Sequence, residues 1–472
     1  MTTFQAAVPE LESAGVVAPA APAPAAPGQF AGGKARLPGR PAWAGRILIG
    51  AHRSAWRALA CRDFRYYFAG SLVSNIGTWF QNTAQVLLSY QLTHSVLAVG
   101  AVTGAQFSGS LLLGPRAAVI ASRGDGRRLL AGTQLMSAAL AGGMAAMEAA
   151  GLLSEQLLVV GALLLGLAFA FALPVQTALV PRLVPDTRAE TEAGMTMNSV
   201  SYNAGRALAP ALCVVLITTI GFAGAFALNA VSFLVFAVTL AVIRPRPMTR
   251  SKHPARARDG VTIALRQPRV GLLLLMVAAV TFADDPILIL GPAVTRHLGT
   301  GSAWAGYFLS ALGCGTIFGS LGPARRARDA DGSEPSRLAA GWLVVLVGFV
   351  AFFVCSPWKW ASLLAAFGAG AAALRTGAVT QTQLVRQPTA QAAASVMALW
   401  AIAWAGTKPL ASLTDGWAAS AHGMVWAVAA VAGPAAAIGI LELALPQHRK
   451  DSLKAWARSA GTRVNARLHP AG

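Results

Sequence analysis

Phe64 to Leu92 reads FRYYFAGSLVSNIGTWFQNTAQVLLSYQL. It exceeds the about 20 mostly apolar residues that a membrane-crossing helix needs. Yet Ser71, Asn75, Thr78, Asn82, Gln85 and Ser89 recur within it at alternating steps of four and three, which puts them on one stripe of a helix. Hydrocarbon would leave such side chains without partners, at considerable cost each. The stripe therefore faces other helices, or water held inside the membrane. In the first reading it lines a polar path. In the second it only hydrogen-bonds neighbouring spans, as small polar residues do in membrane bundles.

The surrounding composition agrees with a membrane setting. The 472 residues are 55% hydrophobic and 12% charged, against about 25% charged in an average soluble protein, and mean hydropathy is +0.56. A soluble fold cannot hide that much apolar surface, so the class is a polytopic membrane protein. The four cysteines, Cys61, Cys213, Cys314 and Cys355, have no metal-ligand spacing, and neither a metal site nor a disulfide framework is expected.

Residues 1–62 form an Ala/Pro-rich leader with a basic end; its prolines and late charges make it a disordered segment rather than a signal peptide. Trp43 to Arg62 carries Arg46, Arg53 and Arg57 among bulky apolar residues, as a basic helix lying on the membrane does; a plain solvated leader is the alternative. Twelve apolar segments follow, at about 64–92, 95–121, 129–150, 157–180, 195–220, 223–243, 270–292, 303–323, 337–355, 358–380, 392–416 and 420–445. The net charge is +20, a value that in a soluble protein suggests a nucleic-acid partner. Its distribution argues otherwise. Of 38 Lys and Arg residues, 33 fall in the leader, in every second loop or in the tail. That asymmetry is the positive-inside rule, which predicts a multi-pass protein of the plasma (inner) membrane with both termini in the cytoplasm. The charges favour anionic lipid headgroups, and no nucleic acid is expected.

The basic linker 244–269 divides the spans into an N-terminal half, 63–243, and a C-terminal half, 270–445, before a basic tail, 446–472. A repeat supports this division. Gln176-Thr177-Ala178-Leu179-Val180 with Pro185 is echoed by Gln381-Thr382-Gln383-Leu384-Val385 with Pro388, and Gly114-Pro115 by Gly322-Pro323, at offsets of 203 to 208 residues. Such offsets imply two halves of one topology, related by an axis along the membrane normal.

Twelve spans as six plus six with a basic central loop resemble the major facilitator superfamily. RDFRYYFAGSLVSNIGTWFQ, LTHSVLAVGAVTGAQF, LLLGPRAAVIASRGDGRRLL and LPVQTALVPRLVPDTRAETEAGMTMNSVSYNAGRALAP are similar to the branch of enterobactin-type siderophore exporters and macrolide efflux proteins. The resemblance covers about residues 60 to 445. It implies an all-α membrane protein of 12 transmembrane helices in two six-helix halves. It also implies that spans one, four, seven and ten line a central cavity, with Asn75, Trp79, Asn82, Gln85, Gln106, Phe169 and Arg375 as candidate cavity residues. The superfamily's gating loop after span two carries Gly-x-x-x-Asp-Arg. Here Ala118 and Ser122 stand at the Gly and Asp positions, followed by Arg123, Asp125, Arg127 and Arg128. Ser122 has no charge to give the latch, and Asp125 is the candidate substitute.

Ionisable groups inside spans are costly and mark function by default. Asp284 and Asp285 precede Pro286 in span seven. Adjacent helical residues diverge by about 100°, so at most one faces a shared cavity squarely. These two are the candidate proton-coupling residues; the alternative is a water-exposed position at the membrane edge. Arg206 in span five is expected to pair with polar groups, or else to bind an anionic substrate. Lys408 in span eleven is expected to be structural, with Asp415 seven residues on along its helix.

No Walker GxxxxGK[ST], HExxH or GxSxG sequence appears, so neither an ATP-driven pump nor an enzyme is expected, and no cofactor. The expected function is a secondary active, proton-coupled exporter of a small amphipathic, drug-like or siderophore-like compound, acting as a monomer by alternating access. Its partners are that substrate, protons and lipids. An importer and a transport-inactive scaffold or sensor are the alternatives.

Overall fold

The computed structural model describes residues 57–121, 125–247, 257–320, 334–386 and 390–444. The basic leader up to Trp56, Ser122 and Arg123 of the expected gating loop, and the tail lie outside them. Among the described residues all regular structure is helical.

The striped segment forms α1, Arg62–Thr93. It is followed by α2, Val96–Ala121, α3, Gly126–Ala149, and α4, Glu155–Leu179. Polar residues set the starts. Asp125 accepts from the backbone N–H groups of Arg127 and Arg128 to cap α3, and Ser154 accepts from Leu157 N–H to cap α4. The helical run Arg188–Val242 opens on an N-cap, in which the Thr187 hydroxyl accepts from Glu190 N–H and donates to Glu190 Oε2. Gly221, at φ 64° and ψ −177°, breaks that run where only glycine sits without strain. The two arms, 188–220 and 222–242, are α5 and α6.

In the second half α8 is Pro268–His297, α9 is Ala303–Ser320, α10 is Glu334–Cys355 and α11 is Lys359–Leu384. Span eleven is composite: α12, Ala390–Ala401, a π turn at Ile402–Gly406, then α13, Lys408–His422. Gly423, at φ 92°, separates it from α14, Met424–Ala444. Span eleven thus runs past its expected end at 416. Nine helices among the described residues are long and apolar enough to cross a membrane. The second arm of Arg188–Val242, the polar-striped α1 and the short α9 complete the twelve. One element departs from expectation: within the basic linker, Ala257–Arg266 is a helix, α7. Its Gly260 sits against the Ser395 carbonyl of α12.

Glycines set the helix spacing. In the first half a Cβ on Gly109 of α2 would strike the Gly166 backbone of α4, and one on Gly166 would strike the Gln106 carbonyl. The second half repeats the crossing. Gly315 of α9 meets the Phe367 carbonyl of α11, and Gly370 meets the Leu312 carbonyl. The paired glycines are 206 and 204 residues apart, the register of the sequence repeat.

Two further seams join the halves to each other. Gly100 and Gly104 of α2 lie against α13, and Gly306 and Gly313 of α9 lie against α5. Both seams favour the end where α2 begins and α13 finishes. At the other end, which carries the basic loops, α12 packs on α7, and α4 and α11 form no comparable seam among the described residues.

Candidate functional site

The strongest electrostatic feature sits where α5, α8 and α13 meet. Asp284 Oδ2 is 3.1 Å from Arg206 Nη2, and its Oδ1 is 3.4 Å from Lys408 Nζ. Asp285 Oδ1 is 2.9 Å from the same Lys408 Nζ, and its Oδ2 accepts from Ser412 Oγ at 2.7 Å. Asp285 is 0% exposed and Asp284 3%. Ion pairs so withdrawn from water hold only while every partner is in place. Arg206 belongs to the first half and the other three to the second, so the cluster ties the halves together.

Local sequence explains how Lys408 reaches it. The π turn 402–406 widens span eleven just before Lys408-Pro409. Such turns leave carbonyls outside the regular ladder. The Trp404 carbonyl is taken up by Thr281 Oγ1 of α8 at 3.0 Å, which clamps α8 to span eleven one helical turn below the aspartates.

Beside the cluster is a small pocket; the non-atom space around it, open solvent included, is about 540 Å³. Arg206, Asp284 and Lys408 form its charged wall, Asn82 and Gln106 its amide wall, and Leu288, Leu309 and Leu312 an apolar one. Gln106 Nε2 donates to Asn82 Oδ1. The Arg206 guanidinium lies 5.7 Å from the Trp79 ring centroid and Lys408 Nζ 5.8 Å from that of Phe107, within cation–π range. Such a pocket suits a molecule with an apolar body and a few polar groups.

Residues 53–471 match the family model described as transmembrane secretion effector. The chain belongs to this family. No curated protein matches it significantly. Among solved structures, the nucleoside transporter NupG superposes with TM-score 0.65 at 10% identity, covering 81% of this chain and 98% of that one. A bacterial homologue of the human lysosomal transporter Spinster, inward-facing and unoccupied, gives 0.62 at 13% identity over 81% and 92%. A D-xylose–proton symporter gives 0.59 at 16% identity over 81% and 98%. The fold is that of the major facilitator superfamily.

Within this secretion effector fold the expected site residues separate. Trp79, Asn82 and Gln106 line the pocket, together with Arg206, Asp284 and Lys408. Asp285 stands behind its neighbour, buried against Lys408 and Ser412, as their angular separation requires. The water-exposed alternative for the aspartates does not hold. Asn75 is not on the pocket wall; it donates to Ser201 Oγ of α5 at 2.9 Å. Gln85 is 1% exposed and its amide has no partner among the described residues. Phe169 and Arg375 also lie off the pocket, and Arg375 packs over the Trp342 ring of α10 at 5.0 Å. The walls come from spans one, two, five, seven, eight and eleven, not from one, four, seven and ten. The glycine seams draw α2, α5, α9 and α13 together over this region, so α4 and α11 stay peripheral to it.

The expected polar path along α1 is corrected in the same way. Ser71 contacts Ser201 at 3.4 Å, Ser89 donates to Glu155 at 3.1 Å, and Thr78 bonds its own helix; only Asn82 of the stripe reaches the pocket. A second polar row went unread. Tyr67, Ser74 and Gln81, each seven residues apart, bond Asn198, Gln134 and Asn229. That spacing was available in the sequence. In the expected gating loop, Asp125 is engaged by its own helix and by Arg128 at 3.3 Å, while Arg127 Nη1 donates to the Ile243 carbonyl at the end of α6 at 3.0 Å. Both contacts stay inside the first half.

Proposed function

We propose that this protein is a secondary active exporter of a small amphipathic compound, driven by the proton gradient. The observation that carries this reading is the Arg206–Asp284–Lys408–Asp285 cluster, which joins the halves beside an amphipathic pocket. A charge network across a bistable interface is what lets a proton or a substrate bias one arrangement over another. With Lys and Arg concentrated in alternate loops, the basic end faces the cytoplasm of the plasma membrane and so do both termini. The glycine seams then lie at the outer end.

The substrate class follows from the wall chemistry. Trp79 and Phe107 offer aromatic faces, Asn82 and Gln106 hydrogen bonds, and Arg206 and Lys408 N–H donors whose charge is balanced by the aspartates. A drug-like or siderophore-like molecule with a carbonyl-rich rim matches that set, in keeping with a resemblance to enterobactin and macrolide exporters. Export accords with the family's description as a secretion effector. Uptake is the second reading, favoured by the sugar–proton symporter among the structural neighbours. The protein acts as a monomer, with anionic lipids around its basic loops.

The test is transport by the purified protein in liposomes, using a panel of macrolides and catecholate siderophores with and without an imposed pH gradient. Gradient-dependent movement out of the compartment that the basic loops face supports the proposal. Gradient-dependent movement the other way supports uptake, and no movement of any compound rejects the exporter.

A further inference from the structure

The buried charges beside the pocket do not balance. Asp284, Asp285 and Asp415 are 3%, 0% and 0% exposed, and among the described residues only Arg206 and Lys408 pair with Asp284 and Asp285. Asp284 and Asp285 are each held by cations. Both oxygens of Asp415 lack any hydrogen-bond partner among the described residues. Asp415 lies on α13, three residues beyond Ser412 and seven beyond Lys408, so it shares their helix face. The helices packed against α13 bring few other charges. α8 offers Asp284 and Asp285, with Arg269 at its start and Arg296 and His297 at its end; α2 offers only Arg116, near its opposite end; α14 offers only Glu442, also remote. An ionised carboxylate with no counter-charge and no donor is not tolerated in such a place, whereas a neutral carboxylic acid is.

We infer that Asp415 holds the coupling proton: its carboxylate takes one H⁺ from outside water when the outer end opens, keeps it as a neutral acid while that end is closed, and gives it up on the cytoplasmic side to complete the cycle. The step balances simply. Protonation converts a cluster of three carboxylates and two cations, net −1, into a neutral one, and the reverse step releases the same proton. The gate supplies the timing. Next to Asp415, Gly416 packs against Val96 and Leu97 of α2, so parting of α2 from α13 brings water to the acid. The expectation that placed coupling on Asp284 or Asp285 moves here because both of those are already neutralised by ion pairs.

The inference rests on the proton-coupled reading of the cluster, yet it can be tested without a transport substrate. The full chain in liposomes is followed by infrared spectroscopy across pH, reading the carbonyl stretch of a protonated carboxylic acid. The expected result is a band that disappears as pH rises, is lost in Asp415→Asn, persists in Asp415→Glu, and is unchanged in Glu155→Gln and Glu442→Gln, the other withdrawn acids. If Asp415→Asn does not fold, labelling of the wild-type chain by dicyclohexylcarbodiimide, mapped by mass spectrometry, should mark Asp415 at low pH only. A band that survives Asp415→Asn, or labelling confined to other acids, overturns the inference. A titrating Asp415 in a protein that shows no gradient-driven transport keeps Asp415 as the proton-binding acid, rejects the coupled exporter and overturns the coupling role.

Discussion

Ser412 joins the closed end to the ion cluster through two of its atoms. Its carbonyl oxygen lies 2.5 Å from where a Cβ on Gly100 would stand, and its hydroxyl donates to Asp285 Oδ2 at 2.7 Å. A movement of α2 away from α13 therefore reaches the aspartates within one residue. Neither contact has much slack, because a packed interior resists small displacements and gives way by switching between arrangements.

Gly100→Val should hold this seam apart. A side chain there must displace backbone, and overpacking of this kind costs about 1–3 kcal/mol. In a background lacking the four native cysteines, Thr103→Cys on the pocket wall should react faster with a membrane-impermeant thiol reagent added opposite the basic loops once Gly100→Val is present. An unchanged labelling rate would show that this contact does not close the outer end.

Arg206→Ala leaves Asp284 with Lys408 alone, and Lys408 is shared with Asp285. The side chains of Arg206 and Asp284 are 14% and 4% exposed, so solvent screens them little. Removal of one member of such a pair costs about 3 kcal/mol. Thermal unfolding in detergent should show a marked loss for Arg206→Ala and a smaller one for Arg206→Ala combined with Asp284→Asn. Additive losses would mean that the pair is not coupled.

Trp79 and Arg375, both expected at the cavity, should behave differently. Trp79→Ala removes a pocket wall and the ring beneath Arg206, and should weaken apparent substrate affinity by about 1 kcal/mol, roughly fivefold. Arg375→Ala removes a contact to Trp342 within the second half and should leave that affinity unchanged. Concentration dependence of transport in liposomes checks both; an equal effect would return Arg375 to the binding site.

The second row on α1 should prove structural. Asn229 Nδ2 donates to Gln81 Oε1 at 2.7 Å, and Gln81 is 1% exposed. Gln81→Ala strands that donor, at a cost of about 1 kcal/mol in a membrane bundle, visible as a lower unfolding temperature. Substrate affinity should not change.

Much of the fold was legible because membrane proteins write it in local terms. Hydrocarbon thickness sets the length of each span, alternating basic loops mark its ends, and the paired glycines reappear at the offset of the sequence repeat. The capping residues Asp125, Ser154 and Thr187 likewise act within four positions of themselves. The candidate site was legible in its residue types. Asp284, Asp285, Arg206 and Lys408 stood out as charges where lipid permits few, and Trp79, Asn82 and Gln106 as polar or aromatic groups on helices near the axis.

The sequence by itself determined an all-helical, twelve-span membrane protein with charged residues in its interior, since burial costs and helix periodicity act on each segment separately. Only the tertiary structure decided how those charges pair. Arg206 meets Asp284 across 78 positions of chain, and Lys408 meets Asp285 across 123. It also decided that α4 and α11 stand off the pocket, and that Asp415 has no hydrogen-bond partner among the described residues. The physical reason is that a stripe on a helix shows which side is polar but not which helix comes to face it. That choice belongs to the glycine seams, where backbones from distant parts of the chain come close enough to exclude every larger residue.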